Sequence, residues 1–103
     1  MKLSPGISDN ITDVLDKIIE FTKLRQKILI QNINNVYVPG YIPKDLPVDE
    51  FADSLNFAIN EHIRNRCLIL RDTNSIKYGT RGDFRVKPSA DQKARQLLEE
   101  NQD

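Results

Sequence analysis

This sequence predicts a mainly α-helical fold. A long N-terminal helix and a C-terminal helix of coiled-coil type flank a short second helix and a small β-hairpin or irregular excursion. Three observations carry the prediction. Residues 9–36 contain neither proline nor glycine, and their apolar side chains recur at helical spacing. A second stripe at i, i+3, i+4 and i+7 begins at Val48 and runs to about residue 64. Only residues 67–87 change character, to short apolar and alternating runs broken by turn residues. At 103 residues the chain makes one small domain at most, and 39% hydrophobic content without tryptophan gives it a lean core.

Residues 1–8 read as a flexible leader broken by Pro5-Gly6, and Ser8 or Asp9 can cap the helix that follows. One apolar seam of that helix holds Ile11, Val14, Ile18, Phe21 and Ile28. A flanking row holds Leu15, Ile19, Leu29, Ile33 and Val36, and Leu24 widens the other side. These positions cover more than half of the helical wheel, whereas a surface helix needs a stripe of only about 100°. So wide an arc asks for at least two neighbours. Asp16, Glu20, Lys23 and Lys27 occupy the remaining face. Arg25 and Asn32 lie inside the seam, and two readings of them are open. Arg25 snorkels and Asn32 bonds locally at the start of the loop, or the two fix register and partner number in a helical assembly.

The first segment, 9–41, ends in a helix-stop device. Asn35 tolerates a left-handed cap. Pro39 cannot continue a helix and extends Val38. Gly40 supplies the permissive φ of a turn, after which Tyr41 can fold back on the helix. The next segment, 42–87, opens with the proline-punctuated connector Ile42–Pro47. Pro47 suits a first helical turn, and Asp49 and Glu50 place negative charge at its positive end. Val48, Phe51, Ala52, Leu55, Ala58 and Ile59 form the stripe that should pack on the first helix. Cys67–Leu70, the turn residues Asp72–Ser75 and the alternating Asp83–Lys87 read as a hairpin or ribbon. In the last segment, 88–103, Ser89 and Gln92 fit a capping box, and Ala90, Ala94, Leu97 and Leu98 an apolar face.

The helix-stop stretch also carries a resemblance. Asn32, Ile33, Asn35, Pro39, Gly40 and Tyr41 match in register the pattern Asn-(Leu/Ile)-Ala-Asn-x-x-Thr-Pro-Gly-Tyr. The stretch thus resembles the N-terminal signature of flagellar axial proteins, the rod and hook family. Asn34 stands where that family has alanine, and Val38 where it has threonine. Arg25-Gln26-x-x-Leu29 and Lys44-Asp45-Leu46 look like the proximal rod members in particular. The resemblance implies a structural subunit of the bacterial flagellar basal-body rod, assembling through its terminal helices into a helical axial tube. It implies an interface of Ile11, Val14, Ile18, Phe21, Arg25, Ile28, Asn32 and Asn35, with Pro39, Gly40 and Tyr41 aiming the chain outward. It implies as partners other copies of itself, other rod proteins, the rod adaptor FliE and the flagellar export apparatus. Rod proteins continue their C-terminal helix several turns beyond the point matching Asp103, so the chain is expected to be cut short there.

Other chemistries are poorly served. His62 and Cys67 are single, too few for a nucleophile–base constellation or a four-ligand zinc site. Gly79 and Gly82 lack the lysine and helix of a phosphate loop. No enzyme, cofactor, metal or small-molecule substrate is expected. Met1–Gly6 has no apolar core of a secretory signal, and no run approaches the roughly 18 apolar residues of a membrane span. The residues alone place the chain in the cytosol or on a route without a cleaved signal, and the resemblance implies the second, in the periplasm-spanning rod. Fifteen bases balance fifteen acids, which argues against nucleic acid. Locally, Arg64, Arg66, Arg71, Lys77, Arg81, Arg85 and Lys87 face only Asp72 and Asp83, seven minus two or +5. The alternative is therefore a small helical nucleic-acid-binding or adaptor protein, gripping phosphates with this ribbon and stacking bases on Tyr78 and Phe84. The same polarity could instead dock the basic middle on an acidic helical face of a neighbour.

Overall fold

The computed structural model describes residues 11–79 and 83–91. Its elements are α1 (Ile11–Asn34), β1 (Lys44–Asp45), α2 (Val48–Asn65), β2 (Ile76–Lys77), β3 (Arg85–Val86) and β4 (Ser89–Ala90). The described part is mainly helical with small antiparallel strand pairs, as the periodicity predicts. The expected leader and the caps Ser8 and Asp9 lie outside the described residues.

α1 runs for 24 residues, about 36 Å at the helical rise. It stops where two asparagines meet the turn, though not by a left-handed cap. Arg66 is the one described non-glycine residue with positive φ, so Asn35 is not left-handed. Its amide Nδ2 instead donates to the Gln31 carbonyl at 2.7 Å, a second bond to an acceptor that the Asn35 backbone N–H also reaches. The Asn35 N–H donates to Gln31 O at 3.1 Å and Asn32 O at 3.2 Å, tightening the last turn. The left-handed cap falls at Arg66, whose N–H donates to His62 O at 2.9 Å and ends α2.

α2 follows Pro47 directly, and the Phe51 N–H reaches back to the Pro47 carbonyl. The Phe51 ring lies flat on Phe21 of α1, centroids 4.1 Å apart and planes within 2°. Phe84 tilts against both Phe51 and Tyr78. Val14, Leu46, Leu55 and Ile76 complete the core, with Leu24, Ile28, Ile59 and Leu68 packed against it. Ser54 is the buried polar member, satisfied by the Tyr78 hydroxyl at 2.8 Å.

The expected hairpin is present but short. Ile76 pairs with Val86 and Lys77 with Arg85, and Ile76 is completely buried. Glu50 of α2 stitches the hairpin to the helix, accepting from the Thr73 hydroxyl and from the Ser75 N–H. Asp72 accepts from the Tyr78 N–H at 2.9 Å.

The expected C-terminal helix does not open at Ser89. Ser89 and Ala90 are extended and pair antiparallel with Asp45 and Lys44, and the Asp91 N–H donates to Pro43 O. The local Ser-x-x-Gln pattern gives way to a non-local ladder that satisfies the backbone of the connector. Gln92, Ala94, Leu97 and Leu98 lie outside the described residues.

Because one ring, Phe51, joins both helices and the hairpin, Phe51→Ala is expected to lower the unfolding free energy by about 3–5 kcal/mol. Urea unfolding followed by circular dichroism measures this. A loss below about 1 kcal/mol would show that the ring stack is not the joint between the helices.

Candidate assembly face and turn

α1 presents two apolar faces. The inner one, carrying Val14, Phe21, Leu24 and Ile28, packs on the rest of the chain. The outer one, turned roughly a third of the way round the wheel, carries Ile11, Leu15, Ile18, Ile19, Leu29, Ile30 and Ile33. All seven are exposed, Leu15 at 53% and Ile33 at 70%. Exposed apolar side chains continue past the helix end through Val36, Val38 and Tyr37, the last at 95%. Contiguous exposure of this kind marks an interaction surface more often than isolated exposed residues do.

The face and the turn are tied together. Val38–Tyr41 is a turn closed by the Tyr41 N–H on Val38 O at 3.1 Å, with Gly40 at φ +78. Tyr41 then folds back, and its hydroxyl donates to Asn32 Oδ1 at 2.8 Å. That same oxygen accepts the Lys44 N–H at 3.0 Å, while Asn32 Nδ2 donates to Lys44 O at 2.7 Å. Asn32 thus imitates a strand edge and holds β1 against α1. Seven residues earlier, Arg25 clamps Asp45 with two parallel bonds, Nε to Oδ1 and Nη2 to Oδ2, both 2.9 Å. The Arg25 hydrogen bonds hold the Asp45 carboxyl below the usual carboxylate range, outweighing the opposing effect of partial burial.

The expected interface is therefore divided. Ile11 and Ile18 stand on the outer face. Val14 and Phe21 are buried in the chain's own core and Ile28 packs against it, so these three are not accessible to a partner. A wheel shows that an arc is too wide, but not which part of it the chain covers itself. Of the two readings of the polar seam residues, Asn32 follows the local one. Arg25, its side chain 41% exposed, is engaged by Asp45. Asp45 and Ile30 were missed by sequence reasoning. Ile30 stands four residues after Gln26 and three before Ile33, on the side that also holds Ile19, and could have been found by that spacing. Asp45 carries no local signal, since its partner lies twenty residues away.

The basic ribbon looks different once folded. Tyr78 and Phe84 are 3% and 8% exposed, so the stacking platform of the nucleic-acid reading is inside the core. Arg71 lies over the Phe57 ring at 4.5 Å, and Arg85 pairs with Asp83. Arg81 is outside the described residues. Among the described residues no cluster of His, Cys, Asp and Glu could hold a metal ion, and no helix is long and apolar enough to cross a membrane. No protein-family model, curated protein or solved structure matches this chain.

The carboxylates of Asp45 and Glu50 both sit below their ordinary range, Glu50 chiefly through the Thr73 hydroxyl. A carboxyl whose folded pKa is depressed leaves the unfolded chain binding more protons, so stability rises with pH. Full stability above about pH 5 should therefore decline towards pH 2 as these groups protonate. Asp45→Asn is expected to flatten that decline in urea melts taken across the range. An unchanged slope would mean that the Arg25 clamp contributes nothing net.

Proposed function

We propose that this chain is a structural subunit of the bacterial flagellar basal-body rod, most similar to the proximal rod protein FlgB. One observation carries the reading: the Asn-x-x-Asn…Pro-Gly-Tyr stretch ends a long helix whose outer face is apolar, and its asparagine and tyrosine are bonded to each other. Conserving that bond would explain why the signature asks for both residue types. In this reading the outer face of α1 joins the inner coiled-coil layer of an axial tube, together with a C-terminal helix beyond the described residues. The 42–87 excursion stands outside that layer, held on α1 by Phe21, Asn32 and Arg25. Heterologous contacts that do not close into a ring propagate into a helical filament, which is the geometry a rod requires. Its neighbours would be other rod proteins and the adaptor FliE, reached through the flagellar export apparatus.

Cells lacking this gene are expected to be bald by electron microscopy, without hooks or filaments, and a full-length copy restores them. Normally flagellated cells would overturn the reading. Gly40→Val is a finer probe. No atom of the described residues lies within 4 Å of an added Cβ, so the expected cost is conformational, about 1–3 kcal/mol for a branched residue at positive φ. The variant is expected to keep its helical circular dichroism and to lose rod assembly. Rods assembling normally would show that the turn does not aim the chain.

A further inference from the structure

Four of the seven apolar residues on the outer face of α1 are placed symmetrically about Thr22. Leu15 and Leu29 stand seven residues either side of it, and Ile11 and Ile33 eleven. The charges along the open edge of this face are segregated as well. Asp16 and Glu20 lie in the N-terminal half, Lys23 and Lys27 in the C-terminal half. The opposite edge is occupied by the chain's own core and needs no partner.

From this geometry we infer that a second copy of this chain docks on the outer face, α1 against α1 and antiparallel, with the two-fold axis at Thr22. In that arrangement each open edge meets its own copy reversed. Leu15 then opposes Leu29 of the other copy, Ile11 opposes Ile33, and Thr22 meets Thr22. Asp16 lies beside Lys27. Every contact away from the axis occurs twice. A parallel pair, with its two-fold along the helices, would instead lay the open edge of each copy against the edge that the other's own core occupies, leaving these charges without partners. Such an isologous pair is closed and cannot grow. It is therefore a state of the free subunit, with its apolar face covered, and distinct from the open contacts a rod would use. The inference does not depend on the flagellar reading.

Sedimentation equilibrium of the full chain, in a Cys67→Ser background, is expected to give twice the 11.9 kDa chain mass. Leu15→Cys and Leu29→Cys chains, mixed and mildly oxidised, should cross-link to each other and neither to itself. In the antiparallel pair the two Leu15 positions are about 21 Å apart along the helix, beyond the reach of a disulfide. Thr22→Cys should cross-link to itself. Asp16→Lys is expected to weaken the dimer about tenfold, because the change is felt at two symmetric places, and the added exchange Lys27→Asp should restore it. All five α1 positions are solvent-exposed, so the variants are expected to fold. Leu15→Cys cross-linking to itself would overturn the inference in favour of a parallel pair. A monomer at every concentration up to about 100 µM would overturn it too, and would leave the chain's own 92–103 segment as the cover to test next.

Discussion

Phe21 and Phe51 meet ring on ring, and most of the described structure hangs from that contact. Phe21 is the point at which α1 touches α2 through a buried aromatic, and Phe51 passes the contact on to Phe84 and so to the hairpin. A chain with so lean a core cannot distribute this joint over many side chains. The consequence for α1 is asymmetry. One side is committed to the excursion, and the residues left over are too apolar for solvent and too regular for accident. The two faces of α1 are thus one fact seen from either side of the same helix.

The second constraint is polar and acts on direction. An apolar stack fixes that α2 lies on α1 but leaves the connector between them free to slide. Asn32 and Arg25 remove that freedom by different means. Asn32 uses both ends of its amide on one residue's backbone, which sets register to within a single position. Arg25 uses the planar fork of its guanidinium, whose two bonds to Asp45 define an orientation as well as a distance. The clamp is partly exposed, so its energetic value is modest, and its use is geometric. β4 then lies along β1 because the connector has already been laid flat.

Long-period features were legible in the sequence. α1, α2 and the turn at Pro39-Gly40 rest on spacing and on residues with narrow conformational choices, and both kinds of signal are local. What failed was whatever depended on a distant partner. Ser89 looked like a helix cap because Ser-x-x-Gln is a local pattern, while its pairing with Asp45 spans more than forty residues. Tyr78 and Phe84 looked like a surface platform because alternation reveals two faces and not which is inside. In a domain short of large apolar side chains, the aromatics go to the core first. Asn35 bonds the helix end through its side chain, a solution that competes with the left-handed cap and leaves the same sequence signature.

The charge order along α1 is the observation least explained by the isolated fold. Acidic residues early and basic residues late complement the helix dipole, but that effect fades beyond the first and last turns. Glu20, Lys23 and Lys27 are too far in, and the last turn of α1 carries no base at all. Spacing makes matters worse for a lone helix. Asp16–Glu20 and Lys23–Lys27 are both like-charged pairs at i, i+4, each slightly destabilising, where alternation would have been favourable. Lys17 offsets part of this through its contact with Glu20 at 3.5 Å, but among the described residues no ion pair is seen at Lys27. A helix that carries segregated charge beside an exposed apolar face gains from it when another helix runs past in the opposite sense.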